Sequence, residues 1–206
     1  MKTMLIAAAA AALLAAPAGA QPAMPVPGAA DVSRVQAGTY QADPEHTLVE
    51  FSVNHMGFSP YFGLFGGATG SLTLDPAHLD RAQVRITIPL DRLTVANAHL
   101  SEHLKSDAFF DAAKYPTATF TSTRVAAHGT TATITGELTV KGRTAPVTLQ
   151  ARFVGAGADP MKKGAATVGF EATGVVSRSA LGVSAFVPAV SDEVRLKIAA
   201  AFVKAG

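Results

Sequence analysis

From Gly38 onward, apolar and polar residues alternate with a period of two, the spacing at which successive side chains of a β-strand point to opposite faces. Val49, Phe51 and Val53 alternate with Glu50, Ser52 and Asn54, and Val84, Ile86 and Ile88 with Gln83, Arg85 and Thr87. Ala132, Ile134, Leu138 and Val140 share a face that Gly136 continues, against Thr131, Thr133, Thr135, Glu137 and Thr139. The pattern returns at Val147, Leu149, Ala151, Phe153, at Val168, Phe170, Ala172, and at Val194, Leu196, Ile198, Ala200, Phe202. Each predicted strand thus has one wet and one dry face.

Turn residues separate these runs: Asp75-Pro76, Lys141-Gly142, the glycine-rich stretch 155–164 with Asp159-Pro160, and Val187-Pro188. Lys141-Gly142 is short enough for a hairpin. Close turns imply antiparallel pairing, since parallel strands need long crossovers. The chain therefore reads as all-β, with about eight strands as in a sandwich or barrel. Periodicity alone leaves both open, but Gly66, Gly67, Gly70, Gly136, Gly169 and Gly174, in or beside strands, supply curvature that favours a closed barrel.

One segment departs from period two. Asn97 to Phe120 begins as a helix with Leu100 and Leu104 as its buried stripe and His99, Glu102, His103 and Lys105 on or beside the solvated face. Tyr115-Pro116 is expected to end it, because the residue before proline is pushed out of helical geometry. His99, Glu102 and His103 also spell H-x-x-E-H, a zinc-hydrolase pattern in which both histidines share a helix face and the glutamate serves as base. That chemistry needs a third protein ligand, usually from a second long helix, and no second helix is predicted.

The amino terminus carries Lys2, an apolar run from Met4 to Ala16 and the small residues Ala18-Gly19-Ala20. This reads as a secretory signal peptide over 1–20, cleaved after Ala20 and directing the protein to the periplasm. Residues 21–37, rich in Pro, Ala and Gly, read as a flexible leader, and 38–206 as the domain. Nothing later is apolar for long enough to form a spanning helix. Without Lys2 the 17 basic residues fall to 16, against 15 acidic ones, with no basic cluster and no Trp, so a nucleic-acid partner is not expected. The absence of Cys removes disulfides, thiolate metal sites and thiol nucleophiles. There is no G-x-S-x-G elbow and no paired carboxylates, so no catalytic residue, metal or cofactor is expected.

Apolar material beyond the strands is concentrated at Phe58, Tyr61, Phe62, Leu64 and Phe65, and again at Phe109-Phe110. Such residues either plug the ends of the core or line the mouth of an apolar cavity.

Across nearly the whole chain beyond the leader, the sequence resembles the YceI-like family of lipid- or polyisoprenoid-binding periplasmic proteins. The matching pieces are Tyr40 to Thr47 (YQADPEHT), Phe51 to Gly57 (FSVNHMG), His99-Leu100 through Ser106 to Asp111 (SDAFFD), Tyr115-Pro116 and Phe120. They continue with Gly136 to Gly142 (GELTVKG), Pro146-Val147, Ser177-Arg178-Ser179, Gly182 and Ser191 to Val194. The resemblance implies an extended lipocalin-like antiparallel β-barrel with a short helical insert, a binder or carrier without catalysis. Its ligand would be an amphipathic isoprenoid lipid such as a polyprenyl phosphate or a quinone.

In that setting Phe51, Val53, Ile86, Ile88, Phe120, Ile134, Leu138, Phe153, Phe170, Leu196 and Ile198 are expected to face inward. Phe65, Phe109, Phe110 and Phe186 would lie at the mouth or ends, the Phe109-Phe110 pair closing over the lipid. Lys141, Arg143 and Arg178 are the candidates for an anionic head. A tail of about forty carbons would contribute roughly 12 kcal/mol at about 0.3 kcal/mol per heavy atom. The competing reading is a fully packed barrel whose 61–65 segment docks a membrane redox or envelope partner, with transient membrane contact.

Overall fold

A computed structural model describes residues 25–205; the expected signal peptide, residues 1–20, lies outside the described residues. The dry faces come together as a closed antiparallel barrel, with eleven strands and one α-helix among the described residues. The strands are β1 (Gly38–Ala42), β2 (Leu48–His55), β3 (Ser59–Phe65), β4 (Thr69–Leu74), β5 (Gln83–Pro89) and β6 (Leu93–Thr94). After α1 (Ala98–Lys105) follow β7 (Thr117–His128), β8 (Thr131–Val140), β9 (Arg143–Asp159), β10 (Ala165–Ser177) and β11 (Glu193–Lys204). Eight of them close the barrel in the order β1-β4-β5-β7-β8-β9-β10-β11, with β11 pairing back to β1.

β1 and β2 share one edge of β11. Ala42, Gln41 and Tyr40 pair with Phe202, Val203 and Lys204, whereas Leu48 to Ser52 pair with Ala199 to Arg195. Between the two strands the chain turns at Asp43 and is clasped to Ala201. The Asp43 amide donates to the Ala201 carbonyl at 2.9 Å, and the Thr47 hydroxyl donates to that carbonyl at 3.1 Å and accepts from the Ala201 amide at 3.3 Å. β2, β3 and β6 thus form a flap beside one half of the barrel, divided from the other half at this turn.

Lys141 and Gly142, at φ 50° and 70°, make the two-residue hairpin between β8 and β9 that matches the right-handed strand twist. The expected turn over 155–164 is shorter: β9 runs through Gly155 and Gly157 to Asp159, paired with β10, and only 160–164 turns. The helix also ends earlier than expected. Asn97 caps it by accepting from the Leu100 amide at 3.1 Å, but Ser106 leaves helical geometry with ψ 171° and its hydroxyl donates to the His103 carbonyl at 2.7 Å. Its carbonyl then accepts from Phe109 and Asp111, coiling the chain into turns well before Tyr115-Pro116. Among the described residues no helix is long and apolar enough to cross a membrane.

The segment expected to be a leader is not free from Ala29 on. Ala29 and Ala156 exchange backbone hydrogen bonds of 3.1 and 2.9 Å, and Val32–Arg34 form a 3-10 turn capped by Asp31. Proline and alanine content concealed this contact, because β9, far along the chain, provides the partner.

Candidate ligand cavity

The barrel interior is divided along its axis. At the end where β1 begins and β7 turns into β8, a cavity of about 400 Å³ opens between Val32 and Val35, the 75–82 loop and the 128–131 turn. Register explains the empty space: Ala132 on β8 faces Ala151 on β9, which faces Ala172 on β10, so three neighbouring strands present methyl groups where larger chains would fill the interior. Ile198 on β11 completes the row opposite Ala172.

Larger side chains hold the walls apart. Phe153, Phe170 and Phe202 form an edge-on aromatic run with centroid separations of 5.8 and 6.2 Å. Phe120 lies over Gly136, where a side chain would collide with the ring, and Ile86, Ile88 and Ile134 complete the apolar surface. Among the described residues no charged side chain lines the cavity. Its polar side chains are the hydroxyls of Ser33, Thr47, Thr130 and Thr131, and Thr47 is engaged with Ala201. Such a space favours an apolar molecule, because burying a charge without a partner costs several kcal/mol.

The residues expected to face the ligand fall into two groups. Ile86, Ile88, Phe120, Ile134, Phe153, Phe170 and Ile198 line the cavity. Phe51, Val53, Phe65, Phe109, Phe110, Leu138 and Leu196 instead pack into a dense core at the opposite end, around the fully buried Leu90 and Leu93. There the Phe51 ring occupies the space over Gly63 and runs through Phe65 to Phe110 at centroid steps of 5.5 Å. Phe109 and Phe110 therefore plug the closed end and do not cover the cavity. Phe186 is 63% exposed and rests 6.1 Å from Phe109, which in turn stands edge-on to His103.

The cations expected at a head group also sit at the closed end. Lys141 donates to the Asp107 carbonyl at 2.6 Å, tying the β8–β9 hairpin to the turns after α1. Arg143 packs along Gly182, where a Cβ would lie 3.0 Å from its Cδ, so the missing side chain leaves room for its stem. Arg178 is buried and donates at 2.8 Å to four carbonyls, those of Val183, Ala185, Val190 and Ser191. Burial lowers its pKa, the neighbouring Asp192 opposing that shift. With its donors committed to the 178–192 loop, Arg178 is a structural clasp.

His99, Glu102 and His103 lie exposed on α1, with Glu102 paired to Lys105 at 3.0 Å. Among the described residues the one group of three metal-capable side chains within mutual reach is Asp43, Glu45 and His46, which excludes this helix. Asp43 in that group is already engaged by the His46 Nδ1 at 2.8 Å, the Glu45 amide at 3.0 Å and Lys162 at 3.2 Å.

Sequence reasoning missed the contributions of Val32, Val35 and the alanine row. The row was visible as small residues on dry faces, whereas Val32 and Val35 gave no periodic signal.

The family model of the YceI-like domain matches residues 40–202. Protein YceI of Salmonella arizonae is 37% identical over 164 residues, 79% of this chain and 85% of its own length. The crystal structure of Burkholderia cenocepacia BcnA has a TM-score of 0.69 and 27% identity, covering 78% of this chain and 98% of its own. A polyisoprenoid binding domain from Saccharophagus degradans, implicated in plant cell wall breakdown, matches with a TM-score of 0.61 at 12% identity, over 81% of this chain and 98% of its own.

Proposed function

The chain belongs to the YceI-like domain family, and from its cavity we propose that it is a non-enzymatic binding protein that holds the tail of an isoprenoid lipid in the open end of the barrel. The observation that carries this reading is a well-formed apolar space within a barrel whose other half is densely packed. The Saccharophagus domain contributes a likeness of fold alone.

Volume and charge refine the ligand. A cavity of about 150 Å³ lined by aliphatic and aromatic residues accommodates one benzene, so 400 Å³ suits roughly fifteen carbons. A forty-carbon tail would exceed it and would have to emerge from the mouth. Because the lining described offers no cation, a quinone-like neutral head suits the interior better than a phosphate, which would have to stay in water. The amino-terminal sequence supports a periplasmic setting, where such a carrier would shield a lipid from water.

Competition against a neutral fluorescent polyene tests the head-group preference. A short-tailed quinone should displace the probe at lower concentration than a prenyl phosphate of equal tail length, and the reverse order would contradict the reading.

A second reading rests on Met56, Phe58, Phe62 and Phe186, all more than half exposed. Met56 donates to the Ala189 carbonyl at 2.8 Å, which brings the β2–β3 turn beside the loop of Phe186. This closed end could dock transiently on a membrane or on a membrane redox protein while the cavity faces away.

A further inference from the structure

By composition, residues 25–37 have little reason to fold, yet the barrel contains a seat for them. β9 carries Gly155 and Gly157 on either side of Ala156, and at both positions the backbone of the amino-terminal segment takes the room of a missing side chain. A Cβ at Gly155 would lie 3.1 Å from the Ala29 carbonyl oxygen, and one at Gly157 would collide with the carbonyl of Pro27. Glycine within a strand often marks such a close approach of another backbone.

The segment is held at two points. The first is the Ala29–Ala156 exchange, its one backbone hydrogen-bonded link to the barrel among the described residues 25–35. The second is Gln36, whose carbonyl accepts from the buried Tyr40 hydroxyl at 2.6 Å and whose side-chain oxygen accepts from Lys204 at 2.8 Å. Between them, Val32 and Val35 form part of the cavity wall, although Val32 is 53% exposed and has solvent behind it. The remaining walls belong to paired strands and their turns, so this is the wall with the fewest attachments. Segments of that kind open locally at far lower cost than core strands.

We propose that residues 27–35 are a hinged gate of the barrel cavity. They leave the Gly155–Gly157 seat, turning about Gln36, to admit an apolar chain, and redock with Val32 and Val35 against it. The proposal rests on the reading that the cavity takes an apolar ligand. It also gives Val32 and Val35 a part in setting how much tail the closed barrel accepts, since they form its outermost apolar surface.

Two variants of the full mature chain test the gate. Gly157→Val fills the seat, and Ala29→Pro removes one of the two hydrogen bonds without touching the barrel. Hydrogen exchange at the Ala156 amide reports docking, with the Ile134 and Leu149 amides as barrel controls. Stopped-flow uptake of methyl cis-parinarate, a neutral fluorescent polyene, reports entry and exit. Both variants should lose protection at Ala156, keep it at Ile134 and Leu149, and exchange the probe about tenfold faster than the parent, as expected when a local opening step is removed. Unchanged rates with the segment undocked overturn the gate and leave the ligand reading standing, as does an Ala156 amide that stays protected in both variants. A barrel that takes up no probe with the segment docked or released overturns both.

Discussion

The ring of Phe120 lies over Gly136 on the neighbouring strand, so that a Cβ there would come within 2.5 Å of both the Phe120 Cε2 and the Thr121 carbonyl oxygen. Phe120 is thereby held flat as cavity wall, and the missing side chain is what permits the arrangement. Gly136→Ala is expected to force both the ring and the strand to shift, at about 1–3 kcal/mol, the usual cost of overpacking. Urea denaturation checks the loss, and the displaced ring should also weaken uptake of the polyene probe.

Ala151, at the centre of the alanine row, offers the complementary test. Ala151→Leu adds apolar atoms to empty space and should leave stability unchanged or raise it by about 0.5–2 kcal/mol, as cavity filling commonly does. Probe affinity should fall at least about tenfold, because the leucine occupies volume that the tail needs. Thermal unfolding and probe titration on the same sample separate the two effects.

Arg178 should matter for stability and hardly at all for a ligand's head. Arg178→Ala leaves four carbonyls without their donor and should cost on the order of 3 kcal/mol, the scale for hydrogen bonds to a buried charge. Arg178→Lys should restore only part of it, since one ammonium cannot reach in four directions as a guanidinium fork does. Neither variant should alter the relative affinity for neutral and anionic ligands in the fraction that remains folded.

Asp43 sets an acid limit. Burial acts to raise its carboxyl pKa, but hydrogen bonds from His46, the Glu45 amide and Lys162 outweigh burial and hold it below the ordinary value. A carboxylate depressed in the folded state stabilises fully above the unfolded pKa of about 3.9 and loses that contribution as pH falls through the folded value. Asp43→Asn should therefore be less stable than the parent at neutral pH and show a shallower loss below about pH 4. Denaturation midpoints from pH 7 to pH 2 check the convergence of the two curves.

The strands were legible because each has one wet and one dry face, and the Lys141-Gly142 turn because a glycine, which adopts positive φ freely, falls in a short gap between two of them. The division of the dry faces was not. Leu138 and Ile134 alternate identically along β8, yet Leu138 reaches the densely packed core around Leu90 and Leu93 while Ile134 faces the cavity, a difference set by strands distant in sequence. Several of the pieces that carry the family resemblance are clasps rather than ligand contacts. Asp43 and His46 hold the β1–β2 turn, and Arg178 holds its loop together with Asp192, which accepts from Ser177 and the Ser179 amide at 2.6 and 2.8 Å. The docked amino-terminal segment was hidden for a different reason: its seat is two glycines on β9, and nothing in its own composition reports them.

Native mass spectrometry of the protein, purified without detergent from cells that export it, tests most directly whether the barrel cavity holds an isoprenoid tail. The expected spectrum shows a recurring added mass that extraction identifies as one isoprenoid class, and that is lost in Ala151→Leu. Apo protein alone, or an added mass that persists undiminished in that variant, would contradict it.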